Sequence, residues 1–183
     1  MSFFLAVEID DVVRAEVTRA TEEAQRTIRA SWVKAEKWHL TLVFLGEPDA
    51  ARLAELPAVI EPLARACPVT SLQLKGCGTF ETARAPVVLW LGVTGALEPL
   101  RTLQGELSRS LHADEGRPWV PHLTLARAKQ AEAFVHLQPH LNTFESSLFR
   151  TAGLVLFESR HDRYLATARW SFAGVQNSAG RSV

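Results

Sequence analysis

The chain has 183 residues, with 20 Lys plus Arg against 20 Asp plus Glu, so its formal net charge is zero. Hydrophobic residues make up 47% and charged residues 22%, which supports a packed core and excludes global disorder. The missing basic excess also excludes a generic binder of long nucleic acid, which must neutralise many phosphates; any such contact is local, at an end or a single nucleotide.

Residues 2–9 read as a strand. The stretch is apolar but has no basic leader and is cut short by Glu8, so a buried first strand is expected and not a signal peptide. Asp10 and Asp11 then supply an N-cap and first-turn negative charge for a helix over 12–28. Residues 38–45 form an apolar, β-prone run closed by Gly46 to Asp49. Asp49 can cap a helix toward Ala66, which Pro57 and Pro62 are expected to kink or split in two. Residues 69–74 alternate as a strand, 75–85 read as a Gly- and Thr-rich loop, and 86–93 as a buried strand. A helix over 95–111 carries a stripe of Leu97, Leu100, Leu103, Leu107 and Leu111. A loop over 112–121 leads to another strand and a short helix near 131–137. Strands at 148–149, 153–157 and 164–172 close the fold, the last two joined at His161-Asp162-Arg163, and residues 174–183 read as a flexible tail. No segment reaches transmembrane length. Cys67 and Cys77 make neither a disulfide framework nor a zinc knuckle and read as reduced thiols of a cytoplasmic protein.

One tetrapeptide occurs twice. His39-Leu40-Thr41-Leu42 and His122-Leu123-Thr124-Leu125 each sit in a strand-like run. Alternate side chains of a strand share a face, so each His shares a face with its Thr and the leucines take the other. Packing demands the leucines; it does not demand a His and a Thr opposite them, twice. Two such faces brought together place two titratable bases and two hydroxyls around one cavity, a set suited to acid–base chemistry on a phosphate. The order of elements also repeats, which points to an α+β fold of two similar lobes, each a mainly antiparallel sheet with helices, around a central cleft. Residues 1–173 form the expected single bilobal domain.

The flanks sharpen this. The first motif runs on as Val43-Phe44-Leu45-Gly46; the second is Pro121 through Arg127, and a Val87 to Val93 run and Phe157-Glu158-Ser159 accompany them. Over nearly the whole chain this resembles the 2H phosphoesterase superfamily, and within it the RNA 2′,3′-cyclic phosphodiesterases, also called 2′-5′ RNA ligase-like proteins. The resemblance implies a bilobal 2H phosphoesterase fold and metal-independent hydrolysis of RNA 2′,3′-cyclic phosphate ends to 2′-phosphomonoesters, with no cofactor. It implies His39 as proton donor and His122 as proton acceptor, with Thr41, Thr124 and Arg127 on the substrate phosphate. Ser2 stands where the family commonly has an arginine. Strict alternation would put Arg127 on the face opposite His122, and it gives Phe44 the parity of the buried leucines. Trp119 is the best candidate for base stacking among Trp38, Phe44, Phe80 and Trp119. The partner is an RNA with a 2′,3′-cyclic phosphate end, or a cyclic nucleotide; a membrane and a metal are not expected, and the state is a monomer.

Three other readings compete. Ligation through a 2′-5′ bond is the reverse reaction at the same site. A non-catalytic module would bind RNA ends or nucleotides, but would be better served by Arg or Lys than by two histidines. A metal-dependent hydrolase would use His136 and His140, whose spacing of four suits a helix face but is interrupted by Pro139. His112 and His161 read as surface residues.

Overall fold

The structure, a computed structural model, describes residues 1–82, 85–113, 116, 118–161 and 163–173. In chain order its elements are β1 (Ser2–Glu8), α1 (Asp11–Thr27), β2 (Ser31–Trp32), a 3₁₀ turn (Ala35–Lys37), β3 (His39–Gly46), α2 (Ala50–Ala66), β4 (Thr70–Thr82) and β5 (Ala85–Gly95). There follow α3 (Glu98–Ser110), β6 (His122–Ala128), a second 3₁₀ turn (Ala131–Phe134), α4 (Gln138–Asn142), β7 (Phe149–Thr151), β8 (Gly153–Arg160) and β9 (Arg163–Ser171). The strands make one antiparallel sheet in the order β7-β4-β5-β6-β3-β1-β8-β9, with β2 added on β6.

The sheet consists of two halves of four strands, β6-β5-β4-β7 and β3-β1-β8-β9, joined between the two motif strands by the pairing of Leu40 with Leu123. This is the α+β architecture with two similar halves that the repeated motif implies. The leucine face of both motif strands is buried: Leu40, Leu42, Leu123 and Leu125 belong to the main core, with Val13 and Val17 of α1 and Leu100, Leu103 and Leu107 of α3. Phe4 and Ala6 point the other way from Leu5 and Val7 of the same strand, and with Val155, Phe157 and Tyr164 they build a second, small apolar cluster.

Helix α1 begins where the sequence places it, with the Asp10 carboxylate accepting from Val13 N. Helix α2 is one continuous helix and is not split in two. Pro57 and Pro62 both lie on its exposed side, where carbonyls left without a partner meet water, while Leu56, Ile60 and Ala64 form the buried stripe that holds the helix to the core. Helix α3 starts at Glu98 and not at Gly95, which ends β5 with φ +109°; Pro99 sits in the helix's first turn.

The expected loop over 75–85 is instead mostly strand. β4 runs on through it beside β5, with Cys77 opposite Leu91 and Phe80 opposite Val88, after a register shift at Gly76 (φ +67°). Glycine fits at position 78 because the Trp90 ring occupies the place of a side chain: a Cβ there would lie 2.3 Å from Trp90 Cζ2. The short helix expected over 131–137 is a 3₁₀ turn, followed by α4, which starts at Gln138 and has Pro139 in its first turn. β8 and β9 pair as a hairpin around His161; Asp162 and the tail 174–183 lie outside the described residues. No helix of the described residues is long and apolar enough to cross a membrane.

Candidate active site

The Leu40–Leu123 pair fixes the geometry of the site. Continued by one residue each way, this antiparallel register sets His39 beside Thr124 and Thr41 beside His122. Both His–Thr faces therefore open on the same side of the seam. A cleft of about 470 Å³ lies there, lined by His39, Thr41, Trp119, His122, Thr124 and Arg127 among others. All six sequence-derived candidates meet at this one cleft.

Each motif strand carries the same irregularity. Ala6 pairs with Thr41 but Leu5 with Val43, so Leu42 is an extra residue in β3. Likewise Trp90 pairs with Thr124 but Leu89 with Ala126, so Leu125 is extra in β6. A bulge of one residue reverses the alternation beyond it. Leu42 and Val43 are both buried, as are Leu125 and Ala126, and the next residues, Phe44 and Arg127, turn outward. This corrects two expectations drawn from strict alternation. Arg127 shares the cleft face with His122, and Phe44 is 56% exposed on the wall of the cleft.

The two imidazoles are held alike. His39 Nδ1 lies 2.6 Å from the Lys37 carbonyl oxygen, and His122 Nδ1 lies 2.7 Å from the Val120 carbonyl oxygen. A carbonyl only accepts, so both Nδ1 atoms donate and Nε2 is the reactive nitrogen of each ring. The Thr41 hydroxyl, 2.9 Å from His39 Nε2, donates to that nitrogen when the ring is neutral. Because the orienting acceptors are backbone atoms, the sequence holds no signature for them.

The surroundings of the two rings differ. His39 stacks on Phe4 with centroids 4.8 Å apart and is edged by Tyr164 at 5.5 Å and Phe157 at 6.0 Å. This aromatic wall strips water from the ring. Burial lowers the His39 pKa to about 4; the Lys37 carbonyl opposes that shift, and charge on His122, Arg127 and Arg14 adds to it. His122 instead meets the edge of Phe80 at 4.8 Å, with Trp90 at 6.2 Å. The aromatic residues around His39 come from β1, β8 and β9, strands whose apolar sequences mark them only as core.

Trp119 lines the cleft, but its indole is committed to the fold. Its Nε1 donates to the Thr41 carbonyl at 3.0 Å, and the Arg101 guanidinium lies 5.9 Å from its ring centroid. The loop before the second motif is thereby tied to the strand of the first. Arg14 acts on the other side: its guanidinium donates to the Ala35 and Ile9 carbonyls, anchoring the 3₁₀ turn that ends in Lys37, the residue that orients His39.

Among the described residues lining the cleft there is no carboxylate, although the chain as a whole is neutral. Lys37 and Arg127 supply positive charge. Charge of this sign can attract an anion into the cleft. His136 and His140 stand apart from it, and no group of three or more His, Cys, Asp or Glu among the described residues is arranged to hold a metal.

Residues 9–163 match the family model of the 2′-5′ RNA ligase superfamily. A protein of Thermotoga maritima named RNA 2′,3′-cyclic phosphodiesterase is 33% identical over 133 residues, covering 70% of this chain and 71% of its own. One of the same name from Methanocaldococcus jannaschii is 28% identical over 166 residues, 88% of each chain. In three dimensions, TT0787 of Thermus thermophilus matches with a TM-score of 0.72 at 25% identity, over 96% of this chain and 100% of that one. Escherichia coli LigT complexed with NADP⁺ matches at 0.74 and 25%, over 93% and 97%. With its paired motif strands, its cleft and these relatives, the chain belongs to the 2′-5′ RNA ligase superfamily.

Proposed function

We propose that the protein hydrolyses RNA ends carrying a 2′,3′-cyclic phosphate to 2′-phosphomonoesters, by two-histidine acid–base catalysis that requires no metal. The relatives named RNA 2′,3′-cyclic phosphodiesterase support the reaction. The observation that carries the mechanism is the pair of imidazoles, each fixed through Nδ1 to the carbonyl two residues upstream, at one cleft without a lining carboxylate among the described residues.

The internal nucleophile of such a substrate is already spent, so water attacks. His122 Nε2 takes a proton from the water as its oxygen bonds to phosphorus. The bond from phosphorus to the 3′ oxygen breaks on the opposite side, and His39 Nε2 delivers a proton to that oxygen. Thr41 and Thr124 donate hydrogen bonds to the non-bridging oxygens, and the Arg127 guanidinium balances their charge.

His39 is neutral in the free protein at neutral pH, so its donor role requires proton uptake with substrate. Two changes on binding favour that. The phosphate anion offsets the loss of water around the ring, and Thr41 turns its hydroxyl from Nε2 to the phosphate. A second reading exchanges the roles, and the depressed His39 pKa favours it: a neutral His39 would take the proton from water and His122 would give one. The catalytic unit spans residues 1–173 and acts as a cytoplasmic monomer.

The test is incubation of the purified protein with an RNA ending in a 2′,3′-cyclic phosphate, in chelator, followed by identification of the product. A 2′-phosphate is expected. A 3′-phosphate rejects the proposed direction of opening, and loss of activity in chelator rejects the metal-free mechanism.

A further inference from the structure

Lys37 is half-buried at the cleft, and none of the ion pairs among the described residues uses it. Its ammonium lies 5.2 Å from the centroid of the Tyr164 ring, a cation on an aromatic face. That ring in turn stands edge-on to His39, with centroids 5.5 Å apart. The lysine charge is therefore seated on the same ring that stands edge-on to His39, within the aromatic wall on that side of the cleft. The ring seat limits the freedom of the lysine without neutralising it, which lowers the ordering cost of binding an anion there. The wall around His122, formed by Phe80 and Trp90, has no such seated lysine among the described residues.

The in-line reaction proposed above gives this placement a meaning. Water arrives on the His122 side and the 3′ oxygen departs on the His39 side. The ribose that bears that oxygen lies on the same side, and its 5′ oxygen leads onward to the next phosphate of the chain. An anion is thus brought past His39, toward Lys37.

We propose that Lys37, seated on Tyr164, forms a second anion subsite that takes the phosphate on the 5′ oxygen of the terminal nucleotide, so that the preferred substrate class is an oligonucleotide end and not a free nucleoside cyclic phosphate. This rests on the cyclic phosphodiesterase reading and on His39 facing the departing oxygen.

Three substrates sharing one base separate the possibilities: a nucleoside 2′,3′-cyclic phosphate, the same compound with a 5′-phosphate, and a dinucleotide ending in the cyclic phosphate. The dinucleotide is expected to exceed the bare nucleoside in kcat/KM by about tenfold, the scale of one charge-assisted contact. The 5′-phosphate compound, which carries the anion without a second nucleoside, should also exceed the bare nucleoside, and a gain confined to the dinucleotide overturns the anion subsite. Lys37→Gln should bring the ratio of dinucleotide to nucleoside close to one, and Lys37→Arg should restore most of it. The salt dependence of the dinucleotide reaction should be steeper than that of the nucleoside by roughly 0.7 in log–log slope, a difference Lys37→Gln removes. A ratio near one in the unaltered protein, or a ratio that Lys37→Gln leaves in place, overturns the subsite alone. Failure of the unaltered protein to hydrolyse any of the three overturns the cyclic phosphodiesterase reading, and the subsite with it.

Discussion

Phe44 and Arg127 occupy equivalent points of the two motif strands, each five residues after its histidine and each turned outward by a bulge of one leucine. The two strands share the burial sequence of their first seven residues, so the repeat extends beyond the tetrapeptide into the irregularity that follows it. One member of the pair is an aromatic ring and the other a cation. The symmetry of the frame thus carries an asymmetric pair of contacts.

Because the bulge at Leu125 is what brings Arg127 to the cleft, the charge at that position should matter to substrate more than to folding. Arg127→Ala should lower kcat/KM by about 10- to 100-fold, the worth of one or two hydrogen bonds to a charged group. Thermal stability should change little, since Arg127 is exposed. Steady-state kinetics with a cyclic phosphate substrate beside a melting curve check both halves of this expectation.

His39→Ala and His122→Ala should each reduce turnover by about 10²–10⁴-fold, the usual contribution of a positioned acid or base. Rate against pH measured for each variant assigns the roles. The variant lacking the base loses the acidic limb of the profile, and the variant lacking the donor loses the alkaline one. Normal turnover in either variant would remove that histidine from the mechanism.

The depressed pKa of His39 also makes the fold sensitive to acid. The unfolded chain takes up a proton near the ordinary histidine value of about 6.5, whereas the folded chain resists until about 4. Stability is therefore unaffected by this group above about pH 6.5 and falls as pH drops from there to about 4, by up to about 3 kcal/mol. Denaturant unfolding across that range should show the decline, and His39→Gln should flatten it.

Trp119 offers a sharp comparison between two roles. A ring that only stacks on a base would be replaced well by Phe, since any aromatic face serves. The indole N–H that holds the Thr41 carbonyl would not. Trp119→Phe should cost about 1–2 kcal/mol in unfolding free energy and lower kcat more than it raises KM, because one partner of an inter-motif hydrogen bond is lost. Unchanged stability, kcat and KM in Trp119→Phe would indicate stacking instead.

Gly78→Ala should act at a distance on the second histidine. The new methyl group meets the Trp90 ring, which packs on Phe80 at 5.1 Å and stands 6.2 Å from His122. Overpacking of this kind costs about 1–3 kcal/mol. The His122 resonance in an NMR titration should shift, while that of His39, walled by other strands, should not.

Much of this was legible in the chain itself. The duplicated His–Leu–Thr–Leu named both catalytic candidates, and the leucine stripe of α3 and the Asp caps of α1 and α2 located those helices. What escaped was of two physical kinds. A bulge leaves no mark in the composition of a strand, so parity misplaced Phe44 and Arg127. Backbone acceptors and ring stacking are likewise silent: nothing in Phe4 or Tyr164 announces that they shape the basicity of His39. Segment 75–85 misled because glycines and threonines favour turns when read alone, yet here Gly78 makes room for an indole inside a long strand. The split of α2 into two pieces was expected because proline was judged without knowing that its side of the helix faces water.

Leu40 and Leu123 form the narrow hinge line between the two half-sheets. Both leucines belong to the core that the two halves share, and each is the chain neighbour of a cleft histidine. The spacing of the imidazoles is thereby set from beneath, by the packing of two side chains that carry no chemistry themselves.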